Sequence, residues 1–390
     1  MVKSVPAFIN PTVLKWAREK ARLSPDAAAK AISISVDKLV AAENGEVQLT
    51  FTQFLAAANA YKRAPSIFYL EEPPIDFQPI QDFRKLTDAE PGAYTPGLTA
   101  AIRQAQERRE LALELRQEIG EPVQEFSLAA DLKVDVEELG GRIRAFLDVT
   151  EPEQQAWRAK AFDQWRAKME ARDVLVFLVP KMSLAEMRGA AVAEQRLPVI
   201  LVNAKDRTNG RTFTLLHEFC HLVVRASGVS GFGADEGQAH AAKVERFCNA
   251  VAAAALVPKA WLLREPLVAK KGADKTWEDE ELAALATRFG VSREVMLRRL
   301  LTTGRTSKAF YESRRSVFQK EYDDLDSQEK KSAPIPRHTI VLSQLGRAYA
   351  QLVFKGYYDR RLTLRDVSNY FNMQVKSVPA MEQAAFGLKG

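Results

Sequence analysis

The chain has 390 residues and 43.6 kDa, too long for one small domain, and its 46% apolar and 27% charged residues exclude a fibrous or disordered composition. Only two cysteines occur, Cys220 and Cys248, which rules out a disulfide scaffold and fits a reducing cytoplasm. No apolar run approaches the roughly 20 residues of a membrane span, and the first residues lack a secretory apolar region, so no membrane partner is expected. The net charge of +6 has a lopsided distribution: residues 331–390 hold nine Lys/Arg against three Asp/Glu, so the whole excess sits in the last sixty residues. Such a tail suits nucleic acid or an acidic protein partner, although scattered charges of this kind also describe an ordinary solvated surface.

Residues 11–70 read as a string of short helices. Pro11 suits a first helical turn, Ser24-Pro25-Asp26 an N-cap followed by proline, and Ser35 a further cap; Asn44-Gly45 closes the third helix, and Thr52–Tyr61 forms a fourth. Pro73-Pro74 then marks a boundary. Residues 97–119 predict a long charged helix, a connector or arm, and Glu153–Arg172 a second charged helix. Val174–Val179 and Pro198–Asn203 are short β-branched runs, hence strands, with Met187–Ala193 a neighbour in the same small sheet. Beyond residue 211 the pattern is helical, with breaks at 228–233, 271–274 and 332–336, and no internal repeat stands out. The expected class is mainly α with a small β-sheet (α+β).

The chemistry concentrates at His217-Glu218-Phe-Cys-His221, an H-E-x-x-H on an apolar segment of helical period. On a helix His217 and His221 share a face and can hold one metal ion. Glu218, rotated by about 100°, can take a proton from a water activated there. Zinc (Zn²⁺) suits imidazole donors and keeps an open position when the protein supplies three ligands. Val224 and Ser227 stand where the metzincin pattern needs Gly and His, which excludes that class. The third ligand must therefore come from elsewhere. Glu245 lies beside the apolar face of a helix carrying Val244, Cys248 and Val251, where a carboxylate is costly unless paired. A surface ion pair for Glu245, or His240 or Glu236 as ligand, remain open alternatives. Cys220 and Cys248 read as small buried residues rather than donors.

HEFCH, followed downstream by E-R-F-C-N-A-V-A-A-A-A-L-V-P, together with Arg188-Gly189, PVILVN and R-T-F-T-L-L, resembles the ImmA/IrrE family of zinc-dependent peptidases over roughly residues 125–265. That resemblance implies a zincin-like fold, with His217, His221 and Glu245 as zinc ligands and Glu218 as general base. It also implies a protein substrate: a repressor, antitoxin or toxin-like partner cut in a stress, phage or toxin–antitoxin response. Phe247 stands where many relatives carry a second acid. Residues 289–300 resemble the helix that follows the peptidase core in the same family, and residues 338–390 the extension of longer relatives.

The segment LKWAREKARLSPDAAAKAISISVDKLVAAENGE resembles the Xre/Cro-like helix-turn-helix class. The resemblance implies double-stranded DNA as a partner, with Ser35 and Lys38 the candidate contacts on a recognition helix otherwise poor in base readers. The same module could instead dock protein or a second copy in a homodimer. The sequence thus divides into a helix-turn-helix domain at 1–72, a linker and connector helix at 73–124, a metallopeptidase domain at 125–265, and a helical extension with the basic tail at 266–390.

Overall fold

A computed structural model of the chain describes residues 5–21, 23–74, 95–225, 237–271, 275–326 and 335–387. It is mainly α-helical with one small sheet, as the sequence predicts. Two compact units divide the chain: residues 1–107 with 185–187, and residues 108–184 with 188–390.

In the first unit the helices are α1 (Pro11–Lys20), α2 (Pro25–Ile32), α3 (Val36–Glu43) and α4 (Phe51–Ala60), followed by a 3₁₀ turn, Pro65–Tyr69. Side chains cap each start: Ser24 Oγ accepts from Ala27 N at 3.2 Å, Ser35 Oγ from Lys38 N at 3.3 Å, and Thr50 forms a reciprocal box with Gln53. Leu14, Ala17, Ala28, Ala29, Ile32, Leu39, Phe54 and Phe68 close the core. Across it Arg18 binds Glu43 with two hydrogen bonds of 2.7 and 2.9 Å, and this contact raises the guanidinium pKa. The long helix α5 (Pro96–Glu118) begins in this unit and ends in the second. It is less of an exposed arm than its charges suggest, because Leu98, Ile102, Ala105, Ala112 and Leu115 form a buried stripe. The predicted linker falls largely on residues 75–94, outside the described residues.

The second unit opens with α6 (Val136–Phe146), α7 (Glu151–Trp157) and α8 (Ala161–Glu170). The single helix expected at Glu153–Arg172 is broken. Arg158 takes φ +45°, a 3₁₀ turn spans Arg158–Lys160, and the kink lets Trp157 and Trp165 meet edge to face at 5.4 Å. Three strands follow: β1 (Leu175–Val179), β2 (Gly189–Val192) and β3 (Val199–Asn203). Their order is β1-β3-β2, with β1 parallel to β3 in the register Phe177↔Leu201 and β2 antiparallel to β3 in the register Gly189↔Val202.

Every strand residue is buried, which explains why these runs are continuously apolar rather than alternating. Val176, Leu178, Ile200 and Val202 face the main core, shared with α8 and with α9 (Thr208–Arg225) and α10 (Gly237–Leu256). Residues on the opposite face meet other elements: Phe177 packs edge to face on Tyr349 at 5.4 Å.

The remaining helices are α11 (Lys259–Arg264), α12 (Pro266–Lys271), α13 (Asp279–Phe289), α14 (Arg293–Thr302), α15 (Lys308–Asp326), α16 (Arg337–Leu345), α17 (Arg347–Tyr358), α18 (Leu364–Tyr370) and α19 (Val378–Phe386). One buried cluster draws its members from Leu128 to Phe318. The break expected at 228–233 lies outside the described residues, as do most of those at 271–274 and 332–336. Helix α16 lies against β1, fixed by Arg166, which donates to the Ser343 carbonyl at 2.6 Å and to Glu170 at 2.8 Å.

Candidate metal centre

Helix α9 carries the motif because its apolar positions Leu215, Leu216, Phe219, Leu222 and Val223 are all buried, orienting the helix against the sheet. His217 and His221, one turn apart, are 2% and 6% exposed, with Nε2 atoms 3.0 Å from each other. Helix α10 brings Glu245 to them: Oε2 lies 3.5 Å from His217 Nε2, and Oε1 lies 3.2 Å from His221 Nε2. Around a tetrahedral zinc with ligand bonds of about 2.0–2.1 Å, neighbouring donor atoms stand about 3.3 Å apart. The two imidazoles and one carboxylate match that spacing, so they could hold a metal ion. Among the described residues His217 Nδ1 is buried with no hydrogen-bond partner.

The position of Glu245 depends on how α10 is held. Its last carbonyls would be orphaned at a helix end. Arg144 donates to the Ala255 carbonyl at 2.7 Å, Gln154 to Leu256 at 2.9 Å, and Arg299 to Val257 at 2.9 Å. Gly140 of α6 lies so close that a Cβ there would meet Ala254 Cβ and Ala255 N at 3.0 Å. Burial depresses the Arg144 pKa to about 10, and its guanidinium stacks over Trp261 at 4.0 Å.

Glu218 is 2% exposed and sits beneath β2, where a Cβ on Gly189 would fall 2.7 Å from its Oε1. The His221 imidazole pKa reaches about 9: burial lowers it, but its hydrogen bonds with Cys248 and to the Glu245 carboxylate and the charge of Glu218 outweigh that. Cys220 and Cys248 are fully buried free thiols. The Cys248 pKa is pushed up first by its contact with Cys220 and then by burial, which leaves it an inert neighbour of His221.

The structure therefore brings His217, His221, Glu218 and Glu245 together. His240, half-buried earlier on α10, does not join the group, and Glu236 lies outside the described residues. Gly189, named from the sequence only as part of the resemblance, leaves room for Thr214 and Glu218 by having no side chain. In the first unit, the Ser35 hydroxyl is engaged in capping α3, and Lys38 is half-buried on the same helix.

Two buried histidines with a half-buried glutamate and a further acid beside them, under an edge strand, define a zincin-like, metallopeptidase-like domain. Consistent with this, residues 170–301 match the model of the IrrE N-terminal-like domain. Residues 12–66 match that of a helix-turn-helix domain, so the chain carries both modules. No curated protein matches the chain. No described helix is long and apolar enough to cross a membrane.

Proposed function

We propose that the protein is a cytoplasmic zinc-dependent endopeptidase and regulator that cleaves a repressor or other partner protein in a stress, phage or toxin–antitoxin response. The observation that carries this reading is the donor geometry: two imidazoles and a carboxylate from two helices at 3.0–3.5 Å, with Glu218 buried next to them. A divalent ion held there supplies a Lewis acid for the scissile carbonyl and lowers the pKa of a water toward about 7. The chain's own residues do the rest. Glu218, lying where Gly189 leaves it room, accepts the proton of the attacking water and passes it to the leaving amine. His217, His221 and Glu245 hold their places through the packing of α9 and the capped end of α10.

The test compares wild type with Glu218→Gln on a peptide library prepared from a bacterial proteome. Wild type should cut internal peptide bonds, and the variant should keep about one zinc per chain while losing cleavage. Equal cleavage by the variant would refute the assignment. The helix-turn-helix match supports a second reading, a DNA-binding transcriptional regulator or antitoxin whose metal domain is structural or binds a partner. Zinc binding without cleavage, together with DNA binding, would select it.

A further inference from the structure

The basic tail is more than charged surface: its helices repeat the geometry of α2 and α3. Both motifs turn on one non-glycine residue in the left-handed region, Ser33 at φ +59° and Asn372 at φ +48°. Aligned on that residue, Ser24 and Thr363 each stand nine positions earlier, and each is the N-cap of the first helix. Ala28, Ala29, Ile32, Leu39 and Ala42 are buried in the first copy; Val367, Ser368, Phe371, Val378 and Met381 are buried at the same offsets in the second.

Over residues 24–44 and 363–383 the burial pattern agrees everywhere except at Pro25/Leu364, Ala27/Asp366, Val36/Val375 and Glu43/Glu382. The turn hydrogen bonds also coincide: Ile34 N to the Ala29 carbonyl and Met373 N to the Ser368 carbonyl, both at 3.0 Å. In each copy a glutamate ten positions past the turn reaches back to the preceding helix, Glu43 to Arg18 of α1 and Glu382 to Tyr358 of α17.

We propose that residues 347–387 are a second helix-turn-helix module and that its α19 reads double-stranded DNA. The exposed stripes coincide: Asp37, Val40 and Asn44 in the first copy, and Lys376, Pro379 and Gln383 in the second. Their chemistry does not. At the first turn of the first helix Arg365 replaces Asp26, next to Asp366, and in the 3₁₀ turn Val375–Ser377 that leads into α19 Lys376 replaces Asp37. An acid at those positions repels phosphate, whereas Arg and Lys neutralise it. Arg360 and Arg361 are exposed in the preceding loop. Gln374 and Gln383 supply amide side chains suited to adenine edges, and the short Pro379 and Ala380 permit close approach to a groove. The inference is independent of the peptidase reading, because neither metal nor cleavage enters it.

The test uses the full chain. It is selected against a randomised duplex library, and an enriched duplex is then titrated between about 50 and 200 mM salt. Arg365→Ala/Lys376→Ala should weaken binding about tenfold or more and flatten the salt slope by about 2. Gln383→Ala should alter the enriched sequence while leaving that slope. All these residues are exposed, so helical content and zinc content should match wild type. Arg360→Ala/Arg361→Ala in the loop provides a variant outside the helices, with the same expected direction. Failure to enrich any duplex, or unchanged affinity, slope and sequence in all these variants, overturns the proposal. Loss of binding only in Ser35→Ala/Lys38→Ala overturns it as well.

Discussion

Gly189→Ala tests how the candidate base is held. The added Cβ would lie 2.4 Å from Thr214 Cγ2, 2.7 Å from Glu218 Oε1 and 2.9 Å from Glu218 Cγ, where ordinary contact begins at 3.4 Å. Thr214 and Glu218 are one turn apart on α9, so both contacts press the same helix face and cannot be relieved by rotating one side chain. Strand and helix must separate by about 1 Å, an overpacking that costs about 1–3 kcal/mol. At about 2–4 °C per kcal/mol for a unit of this size, melting should fall by several degrees. Displacing a catalytic carboxylate by about 1 Å should reduce peptide cleavage about 100-fold. His217, His221 and Glu245 are not among the atoms struck, so zinc content should stay at the wild-type level. The measurements are a thermal melt, zinc analysis and cleavage of the proteome-derived peptide library. Wild-type melting together with wild-type cleavage would refute the reasoning.

Other perturbations have equally direct outcomes. Glu245→Ala should strip the site of zinc on dialysis while leaving helical content intact, read by elemental analysis; retained zinc would mean the third donor lies elsewhere. Gly140→Ala should destabilise the second unit by about 1–3 kcal/mol, because one of the atoms struck is the backbone nitrogen of Ala255, which cannot swing aside. Arg144→Met removes donors to the Ala255 and Val149 carbonyls and to Gln154, and should cost about 2–4 kcal/mol in chemical denaturation. A variant as stable as wild type would show that α10 needs no such cap.

Much of this protein is written in local periodicity. Four-residue spacing alone puts His217 and His221 on one face, caps such as Ser24 and Ser35 announce their helices, and β-branched runs mark β1 and β3. These features depend on neighbours within a turn or two of chain, so sequence suffices. A helix break such as that at Arg158 is harder to foresee, because it serves the packing of Trp157 on Trp165 rather than any local preference.

What only tertiary structure decided lies between elements distant in the chain. It separated Glu245 from His240 as the partner of the histidines, since the rotation of α10 depends on Arg144, Gln154 and Arg299 gripping its far end. It also revealed Gly189 above Glu218, a contact between a strand and a helix set by the sheet's packing on α9. The repeated helix-turn-helix stayed hidden because its two copies share only Val36/Val375, Ala41/Ala380 and Glu43/Glu382. Burial constrains polarity and size at each offset but not identity, so the same backbone can be specified twice by sequences that scarcely agree.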